Sequence, residues 1–212
     1  MTMRNLLISV ALAAALLGAP GLSAQTHPAS SGDRGPTGLI LGVNLTGSFV
    51  TVDGATFQEH TFDGRGREGG GGMQFSVGYA FTPRIGVLLH GGGVVLNEEQ
   101  DRMLGGLELA LRYSFANSGR SLVPYMEMAL GGFALEDSFE NGSSELAGGS
   151  LSVAGGFNYF VTRRVALNAD FRYNMGMFPT VSVDSRKITD DARMGFSSSR
   201  VNVGLNWYPM AR

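Results

Sequence analysis

The chain has 212 residues, a net charge of −2, no cysteine and 32 glycines, about twice the ordinary glycine share. Near-neutral charge argues against a nucleic-acid partner, and the absence of cysteine excludes a disulfide framework and acylation as a lipoprotein. Lys187 is the only lysine, so the lysine-and-glutamate coat of a soluble domain is missing, and no apolar run past the N-terminus approaches the ~20 residues of a membrane helix.

Residues 1–24 have the layout of a secretory signal peptide. Arg4 precedes the apolar run LLISVALAAALLGAPGL, and the small Ser23 and Ala24 place cleavage after Ala24. Export without disulfides points to a bacterial envelope. Residues 25–36, QTHPASSGDRGP, read as a flexible leader. Residues 37–212 then form one domain of repeated period-two segments, the signature of strands with unlike faces.

The first segment sets Leu39, Leu41, Val43 and Leu45 against Gly42, Asn44 and Thr46. In the second, Met73, Phe75, Val77, Tyr79 and Phe81 oppose Gln74, Ser76, Gly78 and Ala80. The third, IGVLLHGGGVVL, alternates less cleanly. The fourth sets Leu107, Leu109, Leu111, Tyr113 and Phe115 against Glu108, Ala110, Arg112 and Ser114. The fifth sets Met126, Met128 and Leu130 against Tyr125, Glu127, Ala129 and Gly131, with Pro124 tolerated near its start. The sixth and seventh meet at Thr162-Arg163-Arg164, after which Val165, Leu167, Phe171 and Tyr173 oppose Asn168, Asp170 and Arg172. The eighth sets Val201, Val203, Leu205 and Trp207 against Arg200, Asn202, Gly204 and Asn206. Segments of about ten residues suit tilted strands that cross a bilayer.

Connections alternate short and long. Residues 82–84, 116–121 and 162–164 are short; about 51–70, 97–103, 136–148 and 178–197 are long and polar. An up-and-down barrel gathers the short turns at one end and the long loops at the other, as in outer-membrane barrels. The short turns carry Arg84, Arg120, Arg163 and Arg164. The long loops carry Glu98, Glu99, Asp101, Glu136, Asp137, Glu140, Glu145, Asp184, Asp190 and Asp191.

The same alternation would fit a soluble lipocalin-like barrel with the faces exchanged. Three features favour lipid outside. The polar face is small (Gly42, Gly78, Ala80, Ala110, Ala154, Gly156, Gly204), as the narrow interior of eight strands requires. Tyr79, Phe81, Tyr113, Phe115, Phe157, Tyr159, Trp207 and Tyr208 cluster near the turns, as an interfacial aromatic girdle does. The polar face also holds charges of both signs at mid-strand: Glu108, Arg112, Glu127, Asp170, Arg172 and Arg200. Buried charges persist when paired, so these six are expected to form a structural network that plugs the lumen.

On the hairpins GYAFTPRIGVLLHGGG and NYFVTRRVALNADFRY, the chain resembles small bacterial outer-membrane β-barrel proteins of the OmpA/OmpX-like transmembrane domain superfamily. The resemblance runs from about Thr37 to Tyr208 and implies an all-β, eight-stranded antiparallel up-and-down transmembrane barrel. It also implies outer-membrane lipid and the assembly machinery as partners. Members commonly end on an aromatic residue, whereas here Trp207-Tyr208 is followed by Pro209-Met210-Ala211-Arg212. A peptidoglycan-binding domain like that of the longer members is not expected.

The sequence assembles no catalytic constellation. His27, His60 and His90 lack metal-ligand spacing, and His60 with Asp63 is the nearest approach to an acid–base pair. His90 is expected to be a lumenal polar residue. The glycine runs at 69–72 and 91–93 lack a nucleotide-loop context and are expected to ease curvature or feed a mobile loop. The expectation is therefore a non-enzymatic, monomeric barrel without cofactor or metal, its lumen filled and its loops free for a surface ligand. Its role would be structural, adhesive or recognition. The alternatives are a narrow channel for small solutes and a soluble ligand-binding barrel.

Overall fold

The computed structural model describes residues 36–52, 56–57, 60–61, 67–97, 102–115, 121–139, 142–183, 186–188 and 194–211. The expected signal peptide, the leader up to Gly35, His27, Asp63, Glu98, Glu99, Asp101, Arg120, Glu140, Asp184, Asp190 and Asp191 lie outside the described residues.

In chain order the strands are β1 (Gly38–Val52), β2 (Thr56–Phe57), β3 (His60–Thr61), β4 (Arg67–Ala80), β5 (Ile85–Asn97) and β6 (Arg102–Ser114). They continue as β7 (Leu122–Phe139), β8 (Gly142–Phe160), β9 (Val165–Val183), β10 (Arg186–Ile188) and β11 (Met194–Trp207). The eight long strands β1, β4, β5, β6, β7, β8, β9 and β11 pair in that order, and β11 closes onto β1 in an antiparallel barrel. Closure gives each of the eight long strands a partner on both sides, so the ring has no edge strand. The seam register sets Leu41 opposite Trp207 and Val52 opposite Phe196.

The long strands run from 13 to 19 residues rather than about ten. The connection expected at about 136–148 is mostly ladder, with Glu136 opposite Glu145 and Phe139 opposite Gly142. The region expected as the loop 178–197 contains the end of β9, all of β10 and the start of β11. Alternation of apolar residues marks only the part of a strand with one apolar face; the ladder continues through polar residues as long as the backbone groups are paired.

Side chains alternate across the wall, apart from register shifts between Val95 and Asn97 and between Ala147 and Gly149. Leu130 is 68% exposed on the outside, while Arg172 is 1% exposed on the inside. Across the outer wall Leu45, Phe75, Leu109, Met128, Phe171 and Val203 stand exposed. An exposed apolar wall around a polar interior removes the inside-out soluble alternative, since water-facing residues would carry the polar face. The segment with the least clean pattern, β5, alternates as regularly as the others. Leu88, His90 and Val94 point inward, while Ile85 and Val95 point outward. It looked irregular because two inward layers of the barrel are apolar.

The interior has three layers. At the turn end, Ile40, Ala80, Leu88, Ala166, Tyr208 and Ala211 form an apolar floor, with Phe160 against it, and Ala110 and Ala129 extend the same cluster up one wall, on the loop side of Arg112 and Glu127. The middle is polar and charged. At the loop end Val50, Val94, Leu104, Phe133, Leu135 and Phe196 form an apolar cap, and the rings of Phe133 and Phe196 lie 5.7 Å apart. Charge is less segregated by sign than the loops predict: Arg102 also stands at the loop end, where its Nη1 binds Glu68 Oε1 at 2.6 Å.

Candidate functional site

The middle layer holds the six charges singled out from the sequence. Each is buried, because each occupies an inward position of its strand: Glu108 and Arg112 on β6, Glu127 on β7, Asp170 and Arg172 on β9, Arg200 on β11. Three arginines face three carboxylates, so the lumen is neutral in formal charge.

Glu127 is the hub. Arg112, its direct partner in the β6–β7 register, donates from Nε to Oε1 at 2.6 Å. Arg172 Nη2 donates to Oε2, and His90 Nε2 lies 3.2 Å from the same oxygen. One carboxylate so receives three donors in low dielectric, the arrangement in which a buried charge is tolerated.

Arg172 and Arg200 are direct cross-strand partners on β9 and β11, a like-charge pairing that is unfavourable by itself. Glu108 compensates it from β6, accepting from Arg200 Nη2 at 2.6 Å and lying 3.5 Å from Arg172 Nη1. In the ring of eight strands, β6 stands opposite β11 and β5 opposite β9. The Glu108–Arg200 pair and the 3.4 Å approach of Arg172 Nη2 to His90 Nε2 therefore span the lumen from wall to wall.

Asp170 is held by neutral donors. Tyr125 donates its hydroxyl at 3.0 Å and Asn202 its amide at 2.8 Å. Asn168 donates to the Tyr125 oxygen at 2.6 Å, and Thr46 to Asn202 at 2.7 Å. The Arg112 guanidinium lies 4.1 Å above the Tyr125 ring, which links the two halves of the network by a cation–π contact.

Sequence reasoning placed His90 in the lumen but did not join it to the network. Its Nδ1 lies 3.1 Å from Gln74 Nε2 and 2.8 Å from Ser76 Oγ. A neutral ring protonated at Nε2 uses all these contacts: Nε2–H donates to Glu127, and Nδ1 accepts from Gln74 and Ser76. Tyr125 was legible as inward-facing from its place beside Met126, but nothing in the local sequence marked it as a ligand of Asp170.

Of the aromatic residues, Tyr79, Phe81, Tyr113, Phe115, Phe157, Tyr159 and Trp207 are exposed on the outer wall near the turns. Tyr79 packs on Phe81, and Tyr113 on Phe115, at ring separations of 5.3 and 5.2 Å. Tyr208 departs from the expected girdle: it is 4% exposed, inside the barrel, 5.5 Å from the Phe160 ring. The reason is alternation. Trp207 takes the last outward position of β11, so the next residue must turn inward.

The glycine runs are ladder rather than loop: Met73 pairs with Gly93 and Gly72 with Val94. A side chain on Gly72 would strike the Gly93 carbonyl oxygen, so glycine lets β4 and β5 approach where the wall curves. Among the described residues no group of three or more His, Cys, Asp or Glu is placed to hold a metal ion.

A closed, apolar-walled barrel with a charge-neutral polar interior is a membrane protein, and the model of the outer membrane protein beta-barrel domain matches residues 11–208. The chain belongs to this family. It is accordingly a protein of the bacterial outer membrane. Neisserial surface protein A, NspA, is similar at 17% identity and a TM-score of 0.57, over 79% of this chain and 96% of that one. The outer membrane protein OprG from Pseudomonas aeruginosa is similar at 14% identity and a TM-score of 0.54, over 82% of this chain and 96% of that one. At such identities the likeness is one of barrel fold. Among curated proteins none matches in sequence.

Proposed function

We propose that this outer-membrane barrel is a closed body with a structural or recognition role in the envelope, displaying its loops rather than passing solutes through its lumen. The observation that carries this reading is the wall-to-wall network. Glu108 reaches Arg200, and Glu127 holds Arg112, Arg172 and His90. Eight strands leave an interior that side chains can fill, and here apolar residues close on the charged ones from both ends, Ile40, Ala80 and Tyr208 at the turns and Phe133 and Phe196 at the loops. Each lumenal carboxylate is held by donors of the network, Glu108 and Glu127 by arginines and Asp170 by Tyr125 and Asn202, so the reading includes no catalysis. Outer-membrane lipid would surround the wall, the assembly machinery would engage the final strand, and a surface ligand would meet the loops of a monomer.

The polar middle layer is what favours the second reading, a narrow channel for small solutes. Planar-bilayer recording separates the two. A closed body gives no steady unitary current; reproducible single-channel steps from the purified barrel would overturn it in favour of the channel.

A further inference from the structure

The four described residues after the last strand, Tyr208–Ala211, are tied to the barrel. The Tyr208 amide donates to the Arg164 carbonyl at 2.7 Å, which extends the β9–β11 ladder by one bond. The chain then turns, with the Ala211 amide donating to the Tyr208 carbonyl at 3.2 Å. Arg164 Nε donates to the Ala211 carbonyl at 3.3 Å. Tyr208 and Ala211 are buried in the floor cluster, while Met210 is exposed. The neighbouring strand β1 is shaped to fit: Gly38 has φ of 99°, and a side chain there would begin 3.0 Å from Met210 Cβ. A cleft opens at this end, lined by Tyr208, Arg84, Ser114, Asn158 and, at its back, Arg112. Arg112 Nη1 is buried there without a hydrogen-bond partner.

We propose that Tyr208–Ala211 is a displaceable stopper that seals the turn end of the lumen and shields the Arg112–Glu127 pair from water on that side. Short turns of outer-membrane barrels face the periplasm, so the stopper regulates access from the periplasmic side. Its attachment suits a movable part. Apart from the one ladder-like bond, it is held by side-chain contacts alone, the Tyr208 ring on Phe160, the Tyr208 hydroxyl on Arg112 and the Arg164 guanidinium on the Ala211 carbonyl, with a single internal turn bond. The strands around it are held by continuous ladders.

The chain has no cysteine, so one introduced thiol reports alone. Ala110→Cys places it in the apolar cluster that includes Tyr208, 1% exposed, one inward position deeper in the lumen than Arg112. A charged, water-soluble methanethiosulfonate should label this variant slowly in the refolded full-length barrel. Labelling should rise about tenfold or more when residues 208–212 are deleted or when Tyr208→Ala is added, because closure by the tail sets the opening equilibrium. Arg164→Ala, which frees the Ala211 carbonyl, should give a smaller rise in the same direction. Phe133→Ala, at the other end, should leave the rate unchanged. Heat-modifiable migration checks that each barrel is folded. If the deletion variant fails that check, Tyr208→Ala and Arg164→Ala decide. Unchanged labelling in folded tail variants, or an equal rise with Phe133→Ala, would overturn the stopper. Conductance tests whether the lumen is closed as a whole, so failure of that reading and failure of the stopper give different results.

Discussion

The two ends of the lumen solve one packing problem in opposite ways. At the turn end a piece of backbone, Tyr208–Ala211, enters the barrel, and inward wall positions of that end are small: Ala80 and Ala166. At the loop end large side chains do the filling, with Phe133 and Phe196 laid across the interior. There it is the wall that gives way. A side chain on Gly106 would strike the Phe133 ring, and one on Gly176 the Phe196 ring. A barrel of fixed strand number has a fixed cross-section, so bulk added from one source must be removed from another. Alanine beside an inserted tail and glycine beneath an inserted ring follow from that single constraint.

The largest effect should come from breaking the layer that both ends protect. Glu127→Ala leaves Arg112 and Arg172 buried and facing each other, a loss of about 3–5 kcal/mol. Urea titration of the folded barrel, followed by the fluorescence of Trp207, the only tryptophan, measures it. Phe133→Ala should cost about 3 kcal/mol, because the hollow sits over Gly106, which has no side chain to refill it. Overpacking should be milder: Gly106→Ala forces the Phe133 ring aside at about 1–2 kcal/mol, and the double variant Gly106→Ala/Phe133→Leu should recover part of that in the same titration. Smallest of all should be Leu130→Ala on the outer wall, under about 0.5 kcal/mol, since it remains exposed to an apolar solvent in both proteins. Leu130→Arg at the same place should cost about 2–4 kcal/mol if it sits near the bilayer midplane. A Leu130→Ala loss as large as that of Phe133→Ala would remove the distinction between outer wall and filled lumen.

Much of the barrel was legible because strand side chains repeat every two residues. The inward positions of Glu108, Arg112, Glu127, Asp170, Arg172 and Arg200, and the outward positions of seven of the eight aromatic residues near the turns, follow from counting alone. The strand ends were not legible where Glu136 and Glu145 pair in a polar ladder. β5 looked irregular because Leu88 and Val94 belong to the floor and the cap, which are apolar layers of a lumen expected to be polar. Tyr208 was misplaced because a girdle is judged by height near the membrane interface, whereas its face is set by the residue before it.

By itself, then, the sequence determined two faces, an alternating loop length and a set of charges on the inner face. Which charge meets which was decided only by closure. Arg112 and Glu127 lie 15 residues apart and are register partners. Glu108 and Arg200 lie 92 apart and His90 and Arg172 82 apart, on strands that stand opposite each other once β11 pairs with β1. Periodicity is a local property of the extended chain, whereas a contact across a lumen exists only after the last strand has found the first.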